Sequence, residues 1–125
     1  MYENNNPKAR VGAKKIQMQL IPPAALVHLA TALENGAEKY GPYNWREEPI
    51  SIMVYMGAMQ RHLAAYQDGE EVAADSGVHH IAHVMACCAL LLDSMSSGLL
   101  QDDRPPPGAA PELIDSITEY RKDEQ

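Results

Sequence analysis

Positive charge is scarce in the middle of this 125-residue chain. Its ten lysines and arginines face seventeen aspartates and glutamates, and the formal net charge is -7. Between residues 16 and 103 the only cations are Lys39, Arg46 and Arg61, whereas acidic side chains crowd the stretch 34–75. Non-specific binding to duplex nucleic acid needs a basic face that releases counterions, so this composition argues against it. A polyanionic ligand would need divalent cations to supply most of the positive charge.

Cysteine is scarce too. Cys87 and Cys88 are sequence neighbours in an apolar run, without the spacing of a structural disulfide or of a CxxC zinc site, and we expect reduced core thiols.

The longest apolar run, 81–92, is interrupted by His83 and falls short of the ~20 residues that span a bilayer. No charged and apolar leader begins the chain. We therefore expect a cytoplasmic protein without membrane binding.

Several catalytic motifs are absent from the sequence. It contains no GxxxxGK[ST] phosphate loop, no GxGxxG after a strand, no GxSxG elbow and no HExxH zinc motif. It also lacks an adjacent His-Asp pair. That absence weakens the case for a His/Asp-type phosphohydrolase, although scattered histidines and aspartates keep it as an alternative.

Helical periodicity is the dominant pattern. Apolar residues recur at helical spacing over 23–40, over 51–68 and from about 75 to 93, and a short last helix begins at Pro111. No segment alternates as a strand does. We predict an all-α bundle of about four helices, whose apolar third helix is central and buried on every side. A second copy is expected to complete this small bundle, as a homodimer or homotetramer.

Two local expectations accompany this fold. The third helix is predicted to begin near Asp75 and Ser76, either of which can act as its N-cap. The inner side of the second helix is predicted to carry its regularly spaced apolar residues, which are Ile52, Met53, Met56, Met59, Leu63 and Tyr66.

Composition divides the chain into four parts. Residues 1–20 form an unpatterned basic arm with four of the ten cations, and 21–100 form the helical domain. Residues 101–110 are a Pro-rich linker, and 111–125 are a C-terminal helix and tail. The arm is either flexible or folds over an anionic ligand or a partner subunit.

Acidic residues suggest a metal site. Glu34 and Glu38 stand four residues apart, where their repulsion costs a helix roughly 0.2–0.5 kcal/mol, so helix stability does not explain them. A second acidic cluster, Glu70, Glu71 and Asp75, precedes the third helix. Such oxygen ligands suit Mg²⁺ or Mn²⁺. Solvated surface charge is the alternative.

Histidines form another cluster. His79, His80 and His83 lie at the start of the third helix, and His62 lies on the preceding one. Histidines at this spacing can bind zinc, transfer protons or serve as hydrogen-bonded core residues, and these alternatives stay open.

Taken together, seven short motifs resemble a phage family of dATP/dGTP diphosphohydrolases, which belongs with the MazG-like all-α nucleoside triphosphate pyrophosphohydrolases. The motifs are LIPP at 20–23, GAEKYG at 36–41, NWR at 44–46, RHL at 61–63, DGE at 68–70, DSG at 75–77 and HIAH at 80–83. The resemblance covers roughly residues 15 to 95. It implies an oligomeric helical bundle, two or more Mg²⁺ or Mn²⁺ ions, and cleavage of purine deoxynucleoside triphosphates to monophosphate and pyrophosphate. It also suggests a role in making phage genomes that contain 2-aminoadenine.

The resemblance also implies roles for individual residues. The superfamily holds its metals on Glu-x-x-Glu and Glu-x-x-Asp pairs, whereas this chain has one extra residue between Glu34 and Glu38 and has HIAH where the second pair is expected. The metal ligands it implies are Glu34, Glu38, Glu71 and Asp75. The catalytic set is Glu38 as the base, with Glu34 and His80. In this mechanism a metal-bound hydroxide attacks phosphorus.

The remaining residues are assigned to the substrate. Lys39, Arg61, Lys14 and Lys15 are candidates for the phosphates because they are nearly the only cations available. Asn44 is expected to read the base edge, and Trp45 or Tyr40 to stack on its face, unless Trp45 is a lid over the core. His79 and His83 complete this set. A triphosphohydrolase of the His/Asp type and a non-enzymatic helical interaction module are the alternative functions.

Overall fold

The computed structural model describes residues 6–124, and most of them are helical. The α-helices are α1 (Pro7–Gly12), α2 (Pro23–Tyr40), α3 (Ile52–Gln67), α4 (His80–Ser94) and α5 (Ala110–Asp123), with short 3-10 helices at Met18–Leu20 and Asn44–Arg46. The all-α prediction is therefore confirmed. The first five residues of the predicted basic arm and the last residue of the predicted tail lie outside the described residues.

Local sequence explains where α2 and α3 begin and end. Pro23 stands in the first turn of α2, where a missing amide hydrogen is harmless. Gly41 ends this helix with φ +89°, and its N–H donates to the carbonyl oxygen of Ala37 at 2.8 Å. Ser51 caps α3 by accepting a hydrogen bond from the amide of Val54. The predicted bounds of both helices are confirmed to within a residue.

α4 is the helix that the sequence analysis predicted as the third, and it begins later than predicted. Asp75, one of its two expected caps, lies instead in a tight turn that is closed by a 2.9 Å hydrogen bond from the N–H of Ala73 to the carbonyl oxygen of Val78. Gly77 makes this turn possible with φ +71°, a conformation that other residues rarely adopt. The actual cap is His79. The turn leaves Asp75 off the helix, at the edge of the space between α2, α3 and α4.

α4 packs against both α2 and α3 and is central, as expected. However, the single chain does not bury it on every side. Ala82 and Ser94 are buried, whereas Cys88 is exposed and Leu92 is 66% exposed. The prediction of a fully buried helix, and of two core thiols, is therefore wrong for one copy. The physical reason is that two neighbouring helices cannot cover the whole circumference of an apolar helix.

α3 turns a different face inward than its apolar spacing predicts. Four of the apolar residues expected inside are 37% to 45% exposed, namely Met53, Met56, Leu63 and Tyr66. Tyr55, Ala58 and His62 face the interior instead, where they line a cavity. The hydrophobic pattern predicted the wrong inward face of α3, because the space between these helices is a partly polar cavity rather than a solid apolar core.

Two short strands link the ends of the bundle. Ile50–Ser51 (β1) pairs in parallel with Leu100–Gln101 (β2). Strands of two residues are too short to show alternation in the sequence, so no sequence pattern predicts them, and the class remains all-α. Asp103 then accepts hydrogen bonds from the hydroxyl of Ser51 and from the amide of Met53. The start of the Pro-rich segment is thereby tied to the beginning of α3.

The outer helices α1 and α5 are largely exposed. α1 is a short helix in the arm for which the sequence predicted no pattern. α5 begins at Ala110, one residue before the expected position, and its apolar residues Leu113, Ile114 and Tyr120 are 57%, 64% and 66% exposed. Within residues 6–124, no helix is both long enough and apolar enough to cross a membrane.

Candidate active site

A cavity of about 570 Å³ lies between α2, α3 and α4. Its size is within the ~300–1,000 Å³ of typical small-molecule sites. Polar and aromatic side chains in its lining are Asn35, Lys39, Tyr40, Asn44, Trp45, Ser51, Tyr55, His62, Asp75, His83, Cys87 and Gln101. The lining therefore combines flat aromatic surface with groups that can bind an anion.

The residues predicted from the sequence divide between the cavity and the surface. Those in the lining are Lys39, Tyr40, Asn44, Trp45, Asp75 and His83. Those outside it are Lys14, Lys15, Glu34, Glu38, Arg61, Glu71, His79 and His80. Gly36 faces the cavity whereas Glu34 and Glu38 are exposed, because helix positions two residues apart lie on nearly opposite sides. A single chain thus does not bring these two glutamates to the cavity, and their roles stay predictions.

Trp45 walls one end of the cavity and is held in place by Asp93. Its indole N–H donates a 2.7 Å hydrogen bond to Oδ2 of Asp93, and Arg46 donates two bonds of 2.9 Å to the same carboxylate. The guanidinium of Arg46 also lies 4.7 Å from the ring centroid of Tyr43. The hydrogen bonds from Arg46 and then from Trp45 lower the pKa of Asp93 to about 2. Sequence reasoning missed Asp93 because its partners lie far away along the chain.

Removal of the Asp93 carboxylate is expected to make the indole ring of Trp45 more mobile and more exposed to solvent. In an Asp93→Ala variant we expect a red-shifted tryptophan fluorescence spectrum and stronger quenching by acrylamide, because the ring loses its fixing hydrogen bond. Trp45 is the single tryptophan of the chain, so the signal reports on this site alone. The matched control is Asp102→Ala, which removes an aspartate that pairs with Arg104 outside the cavity. Equal fluorescence changes in the two variants would contradict the assignment.

The opposite end of the cavity is polar. His83 precedes Asp93 by ten positions on α4, which is about 15 Å along a helix. The rings of His62 and His83 stack with centroids 4.5 Å apart and planes 13° from parallel. Burial is the main cause that lowers the pKa of both histidines. The charge of His80 lowers the pKa of His62 further, that of His62 lowers the pKa of His83, and Asp75 acts in the opposite direction on both. Both rings are therefore neutral at pH 7.

These lowered pKa values predict how stability depends on pH. Because the folded chain binds protons at His62 and His83 less readily than the unfolded chain, the free energy of unfolding should fall as pH drops below about 6.5 and level off above it. Urea unfolding at several pH values between about 5 and 8 measures this dependence. The Asp93 carboxyl titrates far below this window and adds no slope. A double variant, His62→Gln with His83→Gln, should show a flatter profile, and an unchanged slope in that variant would refute the prediction.

Behind His62, a chain of hydrogen bonds leads towards the surface. Nδ1 of His62 lies 2.8 Å from Nδ1 of His80, and Nε2 of His80 lies 2.6 Å from a carboxylate oxygen of Glu70. His80 is only 4% exposed, so the turn that precedes α4 surrounds it closely. Nε2 of His83 separately bonds to the hydroxyl of Ser76 at 2.7 Å. The sequence showed the histidines as a group, but not that Glu70 is bound to one of them.

The metal donors that face the cavity are few. Asp75 is the one carboxylate in its lining, and residues 6–124 hold no group of three or more His, Cys, Asp or Glu side chains placed to bind an ion. The four predicted metal ligands are therefore not brought together in one chain. Mg²⁺ is commonly held by one or two carboxylates together with substrate phosphates. Asp75 fits an ion bound in that way.

Comparison with known proteins supports the resemblance carried by the sequence motifs. The family described as dATP/dGTP diphosphohydrolase, N-terminal, matches residues 5–104. A dATP/dGTP diphosphohydrolase of Salmonella phage PMBT28 is 27% identical over 90 residues, which cover 72% of this chain and 30% of that relative. The chain thus spans less than a third of that relative's length. No solved structure matches the chain itself. Since the family match extends over most of its residues, the chain belongs to the dATP/dGTP diphosphohydrolase N-terminal family.

Proposed function

We propose that this chain hydrolyses the purine deoxynucleoside triphosphates dATP and dGTP to monophosphate and pyrophosphate, with Mg²⁺ or Mn²⁺. The observation that carries the proposal is the cavity, which has a fixed aromatic wall at one end and an imidazole pair at the other. The name of the phage relative supports the substrate class.

The aromatic end suits a purine base. Trp45 is already held by Asp93 and needs no ordering when a ligand binds, so less conformational entropy is lost. Tyr40 adds a second aromatic ring to the lining, and the amide of Asn44 can both donate to and accept from a purine edge.

The polar end suits the triphosphate. Lys39 is the one lysine or arginine among the lining residues, so it cannot by itself balance a triphosphate. Asp75 would hold Mg²⁺ or Mn²⁺ together with phosphate oxygens. When bound there, such an ion neutralises phosphate charge and makes a nearby water more acidic. Lys39 contributes a positive charge from α2 and orients the phosphates.

The hydrolysis itself needs a water and a proton acceptor. The oxygen of the water bonds to the α phosphorus while the bond from that phosphorus to the bridging oxygen breaks. Pyrophosphate leaves with the electron pair, and the proton of the water passes to a basic group. The neutral imidazoles of the cavity can take this proton, because a neutral ring nitrogen carries a lone pair.

Product analysis tests the proposal. The purified chain is incubated with dATP or dGTP and Mg²⁺ or Mn²⁺, and the products are separated by anion-exchange chromatography, with EDTA as the control. We expect equal amounts of monophosphate and pyrophosphate, and no reaction with EDTA. Release of deoxynucleoside and triphosphate would instead identify a His/Asp-type enzyme. The absence of any product would favour the helical interaction module.

The proposal includes self-association as a homodimer or homotetramer. The exposed apolar residues of α5, together with Leu92 on α4, support it, since a soluble chain rarely leaves so much apolar surface uncovered. Sedimentation velocity of the chain measures its mass directly, and a monomer at all concentrations would rule this part out.

A further inference from the structure

The structure assigns His62 as the group that accepts the proton of the attacking water, with Glu70 and His80 as positioning residues that leave Nε2 of His62 unprotonated. This inference rests on the proposed function and goes beyond it. It differs from the role that the sequence suggested for Glu38, which is exposed and outside the cavity lining.

The hydrogen bonds set the direction of donation along the chain. An ionised carboxylate can only accept, so the 2.6 Å contact with Glu70 requires a proton on Nε2 of His80. Nδ1 of a neutral His80 is then an acceptor, and the 2.8 Å contact requires Nδ1 of His62 to donate to it. In a neutral His62 the lone pair is therefore on Nε2.

The free nitrogen of His62 lies on the ring edge opposite to this hydrogen bond. His62 lines the cavity, and among residues 6–124 none hydrogen-bonds to its Nε2. The stacked ring of His83 holds the plane of His62, because the two rings are nearly parallel. The hydrogen bond to the buried ring of His80 fixes the other edge of His62.

These contacts define the proton transfer. As the water oxygen bonds to phosphorus, Nε2 of His62 takes the proton of the water and becomes an N–H. The positive charge that develops on His62 is stabilised through His80 by the carboxylate of Glu70, as the carboxylate of a catalytic triad stabilises its histidine. After pyrophosphate has left, the proton returns to solvent.

Nitrogen NMR of the histidine rings tests the tautomers without substrate or metal. In the wild-type chain at about pH 8, where a neutral imidazole is the ordinary form, long-range proton–nitrogen correlation should show His62 protonated on Nδ1 and not on Nε2. In a Glu70→Ala variant, the two tautomers of His62 should become mixed. Protonation of His62 on Nε2 in the wild-type chain would overturn the inference, because Nδ1 of His80 would then donate to Nδ1 of His62 instead of accepting from it.

Kinetics of dATP hydrolysis give the second readout. Glu70→Ala should lower kcat on the order of 10–100-fold, the size of effect known for residues that orient a metal-bound histidine, with KM little changed. Glu70→Gln should regain most of that loss, because its amide oxygen still accepts from His80. The matched control is Glu48→Ala, which removes another exposed carboxylate outside the cavity lining and should change neither the tautomers nor kcat.

The two readouts separate this inference from the proposed function. If the wild-type chain cleaves no deoxynucleoside triphosphate, the proposed function fails while the tautomers can still be measured. Suppose instead that the wild-type chain is active and that the Glu70→Ala variant is folded and keeps the wild-type kcat. Only the role of Glu70 and His80 then fails. Circular dichroism of each variant shows whether it is folded, and the glutamine variant keeps the test valid if alanine destabilises the turn.

Discussion

Lys39→Ala is expected to lower kcat/KM for dATP by about 10²–10³-fold, the usual effect of removing one electrostatic group that stabilises a transferring phosphoryl centre. Lys39 is the one lysine or arginine in the lining of the cavity, so no neighbour replaces its charge. Initial rates over a range of dATP concentrations measure the effect.

Two further lysine or arginine variants make this result specific. Lys39→Arg keeps the positive charge and should lose less activity than Lys39→Ala. Lys122→Ala removes a lysine of α5 that pairs with Glu119 on the surface, and its kcat/KM should match the wild type. A loss in Lys39→Ala no larger than that of Lys122→Ala would show that the phosphates bind elsewhere.

Asp75→Asn is expected to lower kcat by about 10²-fold or more and to weaken the binding of Mn²⁺ in the presence of a non-hydrolysable dATP analogue. Asparagine keeps the size of the side chain and suits a turn, so the loss reports on charge rather than on folding. The activity is measured as a function of Mn²⁺ concentration, and metal binding by electron paramagnetic resonance titration.

A comparison with Glu38→Gln decides between two locations for the metal. The sequence motifs favour Glu34 and Glu38, whereas the structure places Asp75 in the cavity and both glutamates on the outer side of α2. We expect Asp75→Asn to cost more activity than Glu38→Gln. The reverse order would place the metal on the outer face of α2, where a second copy would have to complete the site.

Much of the fold could be predicted from local signals. Pro23, Gly41 and Ser51 are residues whose backbone preferences or capping groups begin and end helices regardless of their surroundings, so α2 and α3 were located correctly. The start of α4 was misjudged because Asp75 is a good cap in isolation. The hydrogen bonds of the turn around it, which oppose that preference, become visible only in the folded chain.

The candidate site was predictable as a set of residue types but not as an arrangement. Lys39, Asn44, Trp45 and His83 were chosen for their chemistry, and the fold brings them to one cavity. His62 was noticed only as a member of the histidine cluster, because its place in the cavity lining becomes visible only in the folded chain. Glu70 and Asp93 act through partners distant in sequence, and no local pattern shows such a pairing.

The sequence by itself determined the helical class, the bounds of α2 and α3, the shortage of cations and the family to which the chain belongs. Periodicity, capping and short motifs act over a few neighbouring residues and can therefore be read along the chain. Only the tertiary structure decided which faces of the helices enclose the cavity, that Glu34 and Glu38 lie outside it, and that Glu70, His80 and His62 form one hydrogen-bonded chain. These features depend on the relative rotation of packed helices, which is set by contacts between residues far apart in the sequence.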